Sequence, residues 1–177
     1  MKFLHLFSLV FLMFSIQSVE LPKRTVKKIH SEVKKVYGWE DFDIENVSLN
    51  QDLNQNLPLP IKENQFFKII VDGQPEAYIY LGSTLGHTNN FDYLLVLNSD
   101  LSIASNKVIA YREAYGGEIA SKRWLRQFIG KQPGDSLIYK ENIAAISGAT
   151  ISVKAMCRDV NLLLESLEIL LRDKGIS

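Results

Sequence analysis

The sequence first offers chemistry at residues 147–150, where SGAT stands directly before a long segment with apolar residues at helical spacing. The first backbone N–H groups of a helix have no partner within the helix, and the positive end of its dipole favours a phosphate. Gly148 permits a positive φ or a close approach of the backbone. The hydroxyls of Ser147, Thr150 and Ser152 could bind a phosphate or cap the helix. On these residues alone, an ordinary Ser/Thr N-cap is the favoured interpretation.

A second segment with chemical potential is YREAYGGE, residues 111–118, where a strand end runs into paired glycines and then a helix-like stretch. Gly116 and Gly117 could let a flat ring approach the main chain. Arg112 and Glu113 could pair with each other or with a ligand. A plain strand–turn–helix connector has the same pattern, and the local sequence favours that simpler interpretation.

The composition excludes several other kinds of site. The 177 residues include one cysteine and three scattered histidines, His5, His30 and His87. One cysteine allows no intrachain disulfide, Cys-rich zinc site, four-Cys iron–sulfur cluster or c-type haem attachment, and Cys157 is predicted to be a buried small hydrophobe. The 20 Lys and Arg balance the 20 Asp and Glu, which argues against a nucleic-acid binder. Any redox chemistry would therefore use an organic cofactor or none.

Taken together, YREAYGGEIASKRWLRQFIGK and AISGATISVKAM closely resemble the bacterial FMN-binding domain family. That family includes flavin-carrying components of the Rnf electron-transport complex and of the sodium-translocating NADH–quinone reductase. The resemblance covers roughly residues 65–172 and is strongest over residues 108–156. It implies FMN as the cofactor. In the family, a dedicated flavin transferase esterifies the last Thr of the S/T-G-A-T motif to the FMN phosphate, and here that position is Thr150.

The resemblance implies a flavin held between two walls. The implied cofactor-binding residues are Ser147, Gly148, Ala149, Thr150 and Ser152 at the helix start, and Glu113, Tyr115, Gly116 and Gly117 in the second wall. Tyr115 and Trp124 are expected near the isoalloxazine ring. The family motif resembles Asp-x-x-Ser/Thr-Gly-Ala-Thr, and this chain has Ala144 at the Asp position.

Three functions follow from these observations. The first is an exported flavoprotein that carries FMN, phosphoester-linked to Thr150, and acts in electron transfer; its partners would be a flavin transferase and a redox protein, in the membrane or outside it. The second is a binding or structural module of the same fold without flavin, which Ala144 favours. The third is a flavin-dependent reductase of a small substrate. No nucleophile–base pair or carboxylate pair emerges, so an electron-transfer module is favoured over a stand-alone enzyme.

The N-terminal residues are typical of a targeting segment. Residues 3–16 form an apolar run that would be about 21 Å long as a helix, short of the roughly 30 Å hydrocarbon core of a membrane. A preceding Lys2 and a following polar Gln17-Ser18 predict a secretory signal peptide over residues 1–18, and hence a periplasmic protein or one at the outer face of the cytoplasmic membrane. The alternatives are an uncleaved anchor and a buried helix. No cysteine follows the run, which excludes a lipoprotein anchor.

The remaining pattern predicts the elements that position the two segments. Residues 19–60 are expected to form an N-terminal helix (25–37) and a linker with one short strand, and residues 61–177 the FMN-binding domain. The expected elements of that domain are strands at 66–71, 77–81, 91–97 and 101–111, a loop at 82–90, a helix-like run at 118–129, a short strand at 137–139 and a helix at 151–172. The fold class is therefore α+β, with an antiparallel sheet packed against helices and a long C-terminal helix.

Overall fold

The computed structural model describes residues 21–173, 175 and 176. Its elements, in chain order, are α1 (Lys23–Tyr37), β1 (Asp43–Asn46), α2 (Gln51–Gln55), β2 (Phe66–Val71), β3 (Gln74–Leu85), β4 (Asn90–Asn98), β5 (Ile103–Ala110), a 3₁₀ turn (Gly117–Ala120), α3 (Lys122–Leu125), a second 3₁₀ turn (Arg126–Phe128) and α4 (Thr150–Arg172). The predicted signal peptide, residues 1–18, lies outside this description. Within the described part of the chain, no helix has the length and apolar character needed to cross a membrane.

The five strands form one antiparallel sheet in the order β1-β2-β3-β4-β5. Strands that follow one another in sequence are therefore neighbours in space. Residues 72–73 connect β2 to β3, and residues 99–102 connect β4 to β5. The α+β fold class, with its antiparallel sheet and long C-terminal helix, is confirmed.

Helices cover both faces of the sheet. On one face, α1 buries Ile29 and Val33 against the sheet residues Phe67, Ile79 and Leu94. Residues 23–37 and 43–46 thus supply a covering helix and an edge strand of the same sheet. Each fully buried aliphatic side chain stabilises the fold by about 1.5–3 kcal/mol relative to an exposed one.

On the opposite face, α4 lies across the sheet with a continuous row of buried side chains. Val153, Val160 and Leu167 on this row are fully buried, and Cys157 is buried beside them, as predicted. Leu171, near the end of the helix, is 48% exposed. The packing of α4 fixes where its first turn stands relative to the sheet edge.

Three predicted elements differ from the structure. Strand β3 continues through residues 82–85, which the sequence pattern assigns to a loop, so only residues 86–89 connect β3 to β4. Gly82 is not a turn residue here: a Cβ would stand 2.1 Å from the ring of the cross-strand Tyr93, so glycine leaves room for that ring. The predicted helix over 118–129 is broken at Ser121, whose ψ of 135° is extended. The predicted strand at 137–139 is only an isolated bridge between Tyr139 and Ile143.

Candidate functional site

A cavity of about 540 Å³ opens at one edge of the sheet, where three segments meet. The hairpin loop 86–89 joins β3 to β4 at this edge. Strand β5 ends at the same edge because it runs antiparallel to β4, and the chain then continues as the 111–117 loop. The start of α4 forms the third wall. A cavity of this size is typical of a small-molecule site.

The structure brings most of the predicted site residues to this cavity. Six of the nine line it, namely Glu113, Tyr115, Gly148, Ala149, Thr150 and Ser152. Ser147 instead lines a neighbouring cavity of about 590 Å³. Gly116 does not line the cavity but packs against Ala149, since an added Cβ would come within 2.6 Å of the Cβ of Ala149. Gly117 is exposed, with nothing within 4 Å of an added Cβ. That these residues bind a cofactor stays a prediction.

The first turn of α4 is uncapped. Ala149 occupies the N-cap position, and no side chain of the described residues caps this helix. The ordinary Ser/Thr N-cap favoured by the local sequence is therefore wrong. The first intrahelical hydrogen bond runs from Val153 N–H to the Ala149 carbonyl, at 2.9 Å, so the N–H groups of residues 150–152 have no partner within the helix. Thr150 is exposed on this turn, and Gly148 precedes it with a φ of 76°. The helix start thus presents donors, a positive dipole end and a free hydroxyl to the cavity.

Glu113 fastens the hairpin loop to the 111–117 loop. Its Oε1 accepts hydrogen bonds from the backbone N–H groups of Thr88, at 2.7 Å, and Asn89, at 2.9 Å. The N–H groups of Asn89 and then Thr88 stabilise the carboxylate and lower the pKa of Glu113. Arg112 does not pair with Glu113, as it could have; its guanidinium binds the carboxylate of Asp92. The carboxylate of Glu113 therefore shapes the cavity by holding a loop.

Tyr111 links the 111–117 loop to the first turn of α4. Its hydroxyl lies 3.0 Å from the carbonyl oxygen of Tyr115 and 3.2 Å from the hydroxyl of Ser152 on the first turn of α4. The ring of Tyr115 is 81% exposed, at the mouth of the cavity. A large aromatic surface exposed in a concave site is typical of a ligand contact.

Trp124 does not line this cavity but lines the neighbouring cavity of about 590 Å³, together with Ser147. Its position near a flavin ring stays a prediction. It is 6% exposed and packs edge-on against Phe128, with ring centroids 5.1 Å apart. Its indole N–H donates to the carbonyl of Ala144, at 2.8 Å, and the N–H of Ala144 donates to Gln127 Oε1, at 2.7 Å. Trp124 and Gln127 thus hold the backbone that leads into the 147–150 turn, at the position where the family motif has Asp.

The cavity carries little charge. Of the described residues that line it, the only ones with ionisable side chains are His87, Glu113, Tyr111 and Tyr115, and none is Lys or Arg. A bound anion would therefore be neutralised by the backbone N–H groups and the dipole of α4, and not by an ion pair.

Sequence analysis missed five lining residues, namely His87, Thr88, Tyr111, Ala114 and Ile151. One signal could have found the first three. In an antiparallel meander, the loop that joins β3 to β4 and the residue that follows β5 lie at the same edge of the sheet. The strand order alone therefore places residues 86–89 beside residue 111.

Comparisons with known proteins bear on the same part of the chain. Residues 86–165 match the family model described as FMN-binding domain, and this segment contains every lining residue of the cavity. The chain is similar in structure to NqrC of Shewanella oneidensis, with 21% identity, a TM-score of 0.49, and coverage of 62% of this chain and 60% of that one. It is also similar to the corresponding protein of the Na(+)-translocating NADH-quinone reductase from Parabacteroides distasonis, with 20% identity, a TM-score of 0.41, and 60% coverage of each chain. The match thus spans 60% of the length of either solved structure. No curated protein matches the chain.

Proposed function

We propose that the cavity at the start of α4 holds FMN and that the protein transfers electrons through it, because residues 86–165 match the family model of the FMN-binding domain. One observation carries this proposal. The exposed hydroxyl-bearing Thr150 stands at an uncapped helix N-terminus and lines a 540 Å³ cavity inside the matched segment. FMN supplies the redox chemistry when bound, and the protein binds it, orients it and controls its exposure.

The charge of the cavity supports a covalent link to Thr150. A phosphate monoester carries a charge of about −1.5 to −2 at pH 7, and no Lys or Arg lines the cavity to neutralise it. Esterification of FMN at the Thr150 hydroxyl forms a bond between Oγ and phosphorus and breaks one P–O bond of the phosphate, whose oxygen leaves, in net terms, as water together with the hydroxyl proton. The product is a phosphodiester with about one negative charge. The helix dipole and the free N–H groups of the first turn suit one such charge. A flavin transferase is the partner that would make this bond.

The ring system would meet the apolar part of the cavity. Tyr115 and Ile151, respectively 81% and 49% exposed, lie at its rim and would both lose solvent contact against a flat isoalloxazine. Ala149 and Tyr111 also line the cavity. Removing water around the flavin is one way in which a protein tunes its reduction potential.

We further propose that the protein acts outside the cytoplasm, in the periplasm or at the outer face of the cytoplasmic membrane, and exchanges electrons with a redox partner protein. The apolar run at residues 3–16 supports export. A covalent link to Thr150 would prevent loss of the cofactor in a compartment where free FMN is scarce. Cell fractionation tests this location: the protein should appear in the periplasmic or membrane fraction, shortened by about 18 residues if the segment is cleaved. Recovery of the full-length chain in the cytoplasm would contradict it.

Loss of the Thr150 hydroxyl tests the covalent link. Wild type, coexpressed with a flavin transferase, should fluoresce on a denaturing gel and gain about 438 Da, the mass of FMN less water. Thr150→Val keeps the shape of the side chain and should lose both signals. Ser99→Ala removes an exposed hydroxyl from the turn after β4, at the opposite end of that strand from the cavity, and it should keep them. Fluorescence retained by Thr150→Val would refute the link. A wild type without any flavin would favour a module of this fold that binds no flavin.

A further inference from the structure

One hydroxyl connects the two walls between which the flavin is proposed to lie. Tyr111 follows the last residue of β5, and its hydroxyl contacts the carbonyl of Tyr115 in one wall and the hydroxyl of Ser152 in the other. We propose that Tyr111 is a positioning residue, which sets the width of the flavin cleft by tying the 111–117 loop to the first turn of α4. This inference rests on the proposed function of the same cavity.

The direction of the two hydrogen bonds follows from the available protons. A carbonyl can only accept, so the single hydroxyl proton of Tyr111 is donated to the oxygen of Tyr115. The hydroxyl of Ser152 must then donate to the oxygen of Tyr111, across 3.2 Å. Ser152 is only 2% exposed, so solvent does not readily replace this partner. Removal of the Tyr111 oxygen therefore removes both bonds, whereas removal of the Ser152 hydroxyl leaves the bond to the Tyr115 carbonyl.

The hairpin loop on the opposite side of the cleft packs closely against the other two walls. An added Cβ at Gly86 would come within 2.6 Å of Glu113 Oε1 and 2.9 Å of Ser152 Oγ, so the hairpin loop already touches both other walls. Glu113 also binds two N–H groups of this loop. The backbone at Tyr115, in the exposed part of the 111–117 loop, is thus the part of the cleft whose position the Tyr111 hydroxyl can control.

The ring of Tyr111 is held independently of its hydroxyl. It packs edge-on against Phe91, which is fully buried, with centroids 5.7 Å apart. Tyr111→Phe should therefore keep the ring in place and remove only the two hydrogen bonds. Tyr139→Phe is the matched control, because it removes a tyrosine hydroxyl from a different cavity beside α4.

The test compares wild type, Tyr111→Phe, Ser152→Ala, the double variant and Tyr139→Phe, each loaded with FMN by a flavin transferase. In Tyr111→Phe the fluorescence anisotropy of the flavin should fall, and its midpoint potential should move toward that of free FMN in the same buffer. The double variant should show no further change, because both substitutions remove one shared contact. Tyr139→Phe should match wild type in both measurements.

Hydrogen exchange of the flavin-free proteins reports the loop directly. The N–H of Ile119 donates to the carbonyl of Gly116, at 3.2 Å, just after the tied segment. Loss of one ordinary hydrogen bond should speed its exchange about fivefold in Tyr111→Phe. A flavin with the wild-type anisotropy and potential in Tyr111→Phe would overturn the positioning role, whatever the exchange rate. A wild type that takes up no flavin would overturn the proposed function as well, so the two failures are distinguishable.

Discussion

Gly116→Ala is the substitution for which the structure predicts the largest effect on the walls of the cavity. Gly116 has a φ of 79°, in the left-handed region, at the start of the 3₁₀ turn that follows the 111–117 loop. An added Cβ would stand 2.6 Å from the Cβ of Ala149 and 3.1 Å from the carbonyl oxygen of Gly148. The side chain at this position would therefore push the loop away from the turn that carries Thr150.

Two costs contribute to the expected loss of stability. An L-residue in the left-handed region costs about 1–2 kcal/mol relative to glycine. Two carbon atoms pack best at about 3.5–4.0 Å, so a contact at 2.6 Å must be relieved by a shift of the loop or of Ala149. Ala149 is 3% exposed and has little room, and overpacking of this kind costs about 1–3 kcal/mol. The sum is about 2–5 kcal/mol in the free energy of unfolding.

The neighbouring glycine provides the control. Gly117→Ala meets nothing within 4 Å, and an alanine at a permitted backbone conformation stabilises a protein by about 0.4–1 kcal/mol at most. Urea unfolding of both variants measures the difference. At a slope of about 2 kcal/mol per M, Gly116→Ala should lower the midpoint by about 1–2.5 M, and Gly117→Ala should leave it nearly unchanged. Equal midpoints for the two variants would refute the close packing of the loop against the turn.

Two further predictions concern ionisable groups. Backbone N–H groups lower the pKa of Glu113 below its ordinary value of 4.5, so its contribution to stability is present above pH 4.5 and is lost as the pH falls through the lowered value. Wild type should therefore resist urea better than Glu113→Gln at pH 7, with a gap that narrows at about pH 3; a gap independent of pH would contradict this role. Burial raises the pKa of Cys157 from 9.0 to about 11, so at pH 8 its reaction with a disulfide reagent should be about a hundredfold slower in the folded protein than in urea. Rapid labelling of the folded protein would show that the thiol is accessible.

The helices with regularly spaced apolar residues could be predicted from sequence because this spacing reflects which side chains are buried. Both α1 and α4 follow this rule, since each presents one apolar side to one face of the sheet. Prediction from apolar spacing fails where a small or polar residue has a structural role that this spacing does not show. The local pattern places Gly82 in a loop, yet this glycine leaves room for the ring of Tyr93 on the next strand. Ser121 breaks the predicted helix over 118–129 because its extended backbone ends one 3₁₀ turn while its hydroxyl caps the N–H of Trp124. The contact of Gly82 with Tyr93 lies outside a local window of sequence, whereas the Ser121 cap is local and is not revealed by the apolar spacing of residues 118–129.

In the candidate site, too, some features follow from the local sequence and others depend on residues that are distant in sequence. Motifs identify the segments around Thr150 and Tyr115, and the fold brings both to one cavity. The roles of the polar groups within it depend on partners that are distant in sequence. Glu113 binds N–H groups of residues 88 and 89, and Tyr111 reaches Ser152, 41 positions away. Only the strand order could have indicated that residues 86–89 lie beside residue 111.

These pairings also explain why a site of low charge could hold a phosphate. The polar side chains of the walls are satisfied by one another: the carboxylate of Glu113 binds the hairpin loop, and the hydroxyls of Tyr111 and Ser152 bind across the cleft. Among the described groups, those at the helix start that can receive a phosphate are the backbone donors of α4 and the hydroxyl of Thr150. Those groups attract an anion weakly and without an ion pair. A covalent bond at Thr150 would supply the retention that these electrostatics lack, and the fastened walls would supply the orientation.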